Sequence, residues 1–218
     1  MNITNKKGFT LLELLIVITI ISVLSVILIV ALNPAETLRK ARDTQRLSDL
    51  ASLKTALGIY TTTKTSPLLD DTPGNTFCVG GSAADSIWTS AITMADTTLN
   101  GLAAVHPTSF ALGSAVDGSG WIPVNLASIT GGSPISNMPI DPVNDVVQGT
   151  STSDAVTNGA LMYRYACDTA SVTFEINAKL ESVAFVTEDP KATKDGGNNS
   201  NLYEIGTLLT ILSGVDDF

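Results

Sequence analysis

Between Phe9 and Leu32 the chain runs for 24 residues with only five polar side chains, Thr10, Glu13, Thr19, Ser22 and Ser25. Nothing from Leu14 to Leu32 is charged. As a helix this segment would extend roughly 36 Å, enough for the ~30 Å hydrocarbon core of a bilayer. A membrane span is therefore the direct reading. A secretory signal peptide would carry an apolar region of about 7–15 residues and then a small-residue cleavage site. This run is longer, and it ends at "ALNPAE", a poor cleavage context.

The rest of a chain of 218 residues has room for one folded domain beyond that segment. Charge is distributed unevenly. Residues 33–64 carry six Lys or Arg against three Asp or Glu, whereas residues 65–218 carry four against seventeen, net −13. A head this acidic repels phosphate backbones, so no nucleic-acid partner is predicted for it. The basic residues Arg39, Lys40, Arg42 and Arg46 follow the apolar run, outnumbering Lys6 and Lys7 before it. Charge counting would then leave the head in the cytoplasm, and export requires a dedicated sorting signal.

The stretch "KKGFTLLELL" supplies one. It resembles the class III leader of type IV pilins and the pseudopilins of type II secretion. The resemblance covers about the first 30 residues. It implies that a membrane prepilin peptidase cuts between Gly8 and Phe9, before the apolar segment, and methylates the new N-terminal Phe9. It also implies a division into a leader (1–8), a transmembrane and assembly helix (9–32), an amphipathic helix (33–60) and a globular acidic pilin head (61–218). The fold expected is α+β, a long N-terminal helix packed on an antiparallel β-sheet head.

Glu13 then acquires a physical role. A carboxylate in hydrocarbon costs several kcal/mol unless it is paired or protonated. Cleavage after Gly8 creates an α-amine that is mostly cationic at neutral pH. The resemblance implies that the Phe9 amine of a neighbouring subunit pairs with Glu13 during filament assembly. The alternative is a carboxylate that snorkels to the headgroups from one turn inside the membrane edge. The implied partners are other copies of the chain, related minor pilins, the peptidase, a membrane assembly platform and the lipid bilayer. The implied location is the cytoplasmic (inner) membrane in a single pass, then a cell-surface or envelope-spanning filament.

Beyond the span, Leu47, Leu50, Leu53, Leu57 and Tyr60 recur at steps of three and four, which predicts an amphipathic helix laid on a domain. "LNPAE" interrupts it: Pro34 disfavours helix at Asn33, while Asn33, Pro34 and Glu36 together read as a restart. A kink and a new helix are both consistent with this. After Tyr60 the chain is rich in Thr, Ser, Gly, Asn and Pro. "ADSIWTSAITMADTTL" suits a short helix or strand, and "SGWIPVNLASI" a strand and turn. "ALMYRYAC" and "SVTFEINAKLE" alternate as strands do, "VAFV" is a short turn-bounded apolar run, and "YEIGTLLTIL" fits strand or helix. "PIDPVND" followed by "YRY" resembles the Pro-rich turn and aromatic strand of pseudopilin heads. Trp88, Trp121, Tyr163, Tyr165 and Phe174 are expected as core anchors.

Candidate chemistry is sparse, and no enzymatic activity is expected. There is one histidine, His106, before Pro107, and no G-x-S-x-G. Cys78 and Cys167 are the only cysteines. The resemblance implies an exported head in an oxidising compartment, where such a pair bridges. The closed loop of about 90 residues would contribute roughly 4–5 kcal/mol in the chain-entropy view. No cofactor is expected, except that calcium takes hard oxygen ligands and major pseudopilins bind it in a C-terminal loop. The candidates are Asp141, with Asn144 and Asp145 beside it, and Asp189, Asp195 and Asn198 in the loop before Tyr203. Two functions other than a pilus-like filament subunit fit the same residues. One is a type II secretion pseudopilin. The other is a membrane-anchored enzyme or binding protein whose leader match is accidental.

Overall fold

A computed structural model describes residues 8–81, 86–90, 98–99, 102–104, 113–144 and 161–212. The chain divides into two compact units, Met1–Arg39 and Lys40–Phe218.

In the first unit, α1 (Leu11–Leu32) begins at the N-cap Thr10 and has no polar face. It is long and apolar enough to cross a membrane, and none of its most apolar stretch is buried within the chain. A helix that is apolar all round needs a covering from outside its own domain. It stops at Asn33, which takes a left-handed conformation with φ of 39°. Asn33 then starts the next helix, α2 (Pro34–Thr63), by accepting at its carbonyl from the amides of Glu36 and Thr37 at 3.1 and 3.2 Å. The open choice at Pro34 thus resolves as a restart. Proline's fixed φ suits a first helical position, and asparagine tolerates the left-handed turn before it.

The second unit contains most of α2 and the sheet. Leu50, Leu53, Ala56, Leu57 and Tyr60 are buried as one stripe. Leu47, expected to continue it, is only half-buried; the helical spacing instead runs on through Arg46 and Asp43, both fully buried.

Six strands form the sheet among the described residues: β1 (Ser86–Thr89), β2 (Thr98–Leu99), β3 (Leu102–Ala104), β4 (Tyr163–Asp168), β5 (Thr173–Ala178) and β6 (Tyr203–Gly206), in the order β2-β3-β1-β4-β5-β6. The run β1-β4-β5-β6 is antiparallel, as the α+β expectation requires. The β1–β3 pair is parallel, an addition that the sequence pattern did not signal.

Register assigns the two faces. Tyr163 stands opposite Ala178, Tyr165 opposite Ile176 and Cys167 opposite Phe174, all on the face that packs with the α2 stripe. The same core holds Trp88 and Trp121, so all five expected aromatic anchors are buried. The Tyr165 hydroxyl donates to the Leu69 carbonyl at 2.8 Å, satisfying the one polar atom that this ring takes into the core. Alternation ordinarily marks one solvated sheet face. Here the opposite face, with Arg164, Glu175, Asn177 and Glu204, is buried as well.

Two segments differ from their sequence reading. "VAFV" lies in a π-helical turn, Ala184–Glu188, closed by the Asp189 amide on the Ala184 carbonyl at 2.9 Å. It follows the end of β5 closely, and its Val183 and Val186 are exposed. "GWIPVNLASI" makes turns and a 3-10 helix, Leu126–Ser128, rather than a strand. The Asn125 side chain caps this helix by accepting from the Ser128 amide at 3.0 Å.

Cys78 and Cys167 form a disulfide, with Cα atoms 4.8 Å apart and a sequence separation of 89. It fastens the loop after α2 to β4, where the Val79 amide also donates to the Cys167 carbonyl at 2.8 Å. Thiol labelling of the unfolded, unreduced protein should find no free thiol. Reduction should lower the stability of the head in urea by about 4–5 kcal/mol. Two labelled thiols before reduction would refute the bridge.

Candidate processing and assembly site

The site at the N-terminus is built from backbone geometry. Gly8, Phe9 and Thr10 are non-helical and exposed, and the helix begins at Leu11. Thr10 fixes that boundary. Its hydroxyl accepts from the Glu13 amide at 3.2 Å, while Glu13 Oε2 accepts from the Thr10 amide and from the Thr10 hydroxyl, each at 2.9 Å. This reciprocal capping box satisfies amides that a helix start would leave bare. It also keeps the Gly8–Phe9 bond outside the helix, in accessible backbone that a peptidase can take up. Nothing approaches within 4 Å of where a Gly8 side chain would stand. Phe9 is 82% exposed. Glu13 thus sits at the first turn of an apolar helix, its carboxylate held toward the helix start. The pattern Thr-x-x-Glu before an apolar run was the available signal for Thr10, which sequence reasoning passed over.

Residues 3–29 match the family described as the prokaryotic N-terminal methylation motif. The N-terminus is a class III prepilin leader. Such leaders are typical of type IV pilins and pseudopilins, so the residue types at Gly8, Phe9 and Glu13 are those of a pilin-like precursor. No curated protein and no solved structure matches the chain.

In the second unit a dense charge cluster among the described residues lies at the first buried turns of α2. Arg46 donates through Nε and Nη2 to both oxygens of Asp141, at 2.7 and 3.0 Å. Its Nη1 reaches Asp43 at 2.7 Å and Glu181 at 2.8 Å. Arg42 takes Glu181 with two further bonds of 2.6 and 2.7 Å. Asp43 also accepts from the amides of Glu181 and Ser182, at 3.1 and 2.8 Å. The loops after β5 and around Asp141 are thereby pinned to α2. Burial pushes the Arg46 guanidinium down, but the carboxylates around it outweigh that and hold it above its ordinary value. Hydrogen bonds from Arg42 lead the causes that draw Glu181 down to about 2.

The calcium candidates do not assemble into one site. Asp141 is committed to Arg46, and Asp189 is held by Lys191 and Lys194. Asp195 accepts from the amides of Gly197 and Glu204, and Asn198 donates its side-chain amide to the Leu212 carbonyl. Among the described residues no group of three acidic, His or Cys side chains could hold a metal. His106 and Asp145 lie outside the described residues.

Replacing Arg46 with Met should destabilise the head by about 3–5 kcal/mol in chemical denaturation, because Asp43 and Asp141 would be left buried without their cation. Glu181 titrates lower in the folded than in the unfolded state. Its contribution is present above pH ~4.5 and is lost as pH falls toward 2. Acid unfolding of the wild type should therefore steepen in that window, and Glu181→Gln should flatten it. An unchanged acid limb in the variant would show that Glu181 carries none of the acid sensitivity.

Proposed function

We propose that this chain is a structural subunit of a type IV pilus-like filament. It is inserted in a membrane through α1, cut between Gly8 and Phe9, methylated on Phe9, and polymerised through its apolar helix with the acidic head outward. The observation that carries the reading is the methylation motif at residues 3–29 running directly into a helix with no buried face of its own. Among the described side chains of α1, the large ones from Leu11 to Ile29 and Leu32 are exposed all round the helix. Lipid covers them before assembly, and α1 helices of other copies cover them afterwards. A role as scaffold rather than catalyst follows from this, since the conspicuous polar groups of the head are spent on each other.

Glu13 is the residue that gives this assembly direction. In the filament the cationic Phe9 amine of an incoming copy meets the carboxylate that Thr10 already holds at the helix start. Insertion does not need Glu13, because Leu14 to Leu32 is an uncharged span of membrane length.

Mass spectrometry of the mature protein should find Phe9 at the N-terminus with an added methyl group, and a bulky residue in place of Gly8 should leave the precursor uncut. A mature chain starting at Met1 or beyond Leu32 would overturn the assignment. Glu13→Ala should leave membrane insertion and cleavage normal and remove filaments from the sheared surface fraction. Normal filaments from this variant would show that the carboxylate only reaches the headgroups.

A further inference from the structure

The face of the sheet turned away from α2 buries two carboxyl groups against each other. Glu175 on β5 and Glu204 on β6 are 0% and 1% exposed. They sit in adjacent rows, Glu175 opposite Gly206 and Glu204 opposite Asn177. Diagonal neighbours on one face of adjacent strands bring their carboxyl ends close to one another. The outer oxygen of each is already used. Glu175 Oε2 accepts from the amides of Ile211 and Leu212 at 2.9 and 3.0 Å, and Glu204 Oε2 accepts from the Asn199 amide at 2.9 Å. The other oxygen of each, Oε1, is buried with no donor. Two ionised carboxylates have no hydrogen to place between them, and like charges in a dry interior repel strongly.

We propose that Glu175 and Glu204 share one proton, and that this acid–carboxylate hydrogen bond latches the loop over residues 197–202 and the segment over residues 207–212 onto the back of the sheet. The proton gives the pair its missing donor and leaves a single negative charge. That charge is held by three backbone amides, all of them from the two segments being fastened. The approach is close: a Cβ on Gly197 would lie 1.8 Å from Glu204 Oε2, so only glycine lets the loop pass there.

The charged surroundings, among the described residues, favour keeping the proton. From the loop, Asp195 accepts from the Glu204 amide and adds negative charge, while Lys191 and Lys194 are turned to Asp189. The segment over residues 207–212 brings no ionisable side chain. From β4, Arg164 shares the face, and the carboxylate acting on it is Asp141. Burial is the leading cause that raises both carboxyls, Glu204 to about 8. In the open state both groups ionise in the ordinary range, near 4.5. The closed state then binds one more proton between pH ~4.5 and ~8, and the latch weakens by about tenfold per pH unit across that window.

Hydrogen exchange of the full-length protein in detergent tests this. Protection factors at Asn199, Ile211 and Leu212, corrected for intrinsic rates, should fall by about tenfold per pH unit from pH 5 to pH 8 and then level off. Glu204→Gln supplies a permanent donor to Glu175, so protection in that variant should not vary with pH. Glu175→Gln should behave the same way, which keeps the test open if one variant fails to fold. Infrared spectra at pH 6 should show a protonated-carboxyl band that is absent from Glu204→Gln. A flat pH profile in the wild type, an equal slope in both Gln variants, or no band at pH 6 would overturn the proposal. So would slower exchange at these amides on adding calcium, since the pair would then be holding a cation in place of the proton.

Discussion

One continuous face of α2 organises the head. From Tyr60 back to Leu50 it is apolar and packs on the aromatic side of the sheet. From Arg46 to Asp43 the same helical spacing continues with charges, fully buried. Burial of a guanidinium is tolerable only with carboxylates at hydrogen-bond distance, and Asp43, Asp141 and Glu181 fill that requirement. Two segments far away in sequence, around Asp141 and Glu181, are therefore obliged to meet on α2. The disulfide adds a third fixed point, from the loop beyond α2 to β4. Hydrophobic contact sets the stability of such an arrangement; the paired charges make its register specific, because a slip by one turn would strand a buried ion.

The first unit has the opposite economy. Nothing in α1 distinguishes one face from another, so no single surface of the chain can satisfy it. The hydroxyls in its middle, on Thr19, Ser22 and Ser25, donate back to carbonyls of the same helix. At the start, Thr10 and Glu13 bind each other and define the helix boundary beside the leader. At the end, Asn33 turns left-handed and Pro34 restarts the chain as helix. Under the proposed function such a segment serves insertion first and lateral association second, and Glu13 gives that association its direction.

The back of the sheet shows why pattern alone misjudges exposure. In β4 and β5, Arg164, Glu175 and Asn177 alternate with aromatic and aliphatic residues, which ordinarily signals a solvated face. All three are instead buried, and the two carboxylates of this face, Glu175 and Glu204 on β6, accept from backbone amides of the chain that roofs it. Alternation reports only that the two faces differ in polarity. Whether the polar face meets water depends on chain that arrives more than thirty residues after Glu175, at Ile211 and Leu212.

The leader, the apolar span, the amphipathic stripe of α2 and the two strongest strands were all legible in the sequence, because each is set by local chemistry: composition, helical spacing or alternation. The α+β class follows from those elements alone. The methylation motif over residues 3–29 was likewise legible, as a short run of local sequence. The structure decided what depends on distant chain. It assigned "VAFV" to a helical turn. It set Asp141 and Asp189 against arginine and lysines, so that two carboxylates with the composition of metal ligands are neutralised by protein cations. It also placed Glu175 and Glu204, 29 residues apart in sequence, on one buried face of adjacent strands. Periodicity carries the identity of a face, but burial and ion pairing belong to whatever the folded chain lays against it.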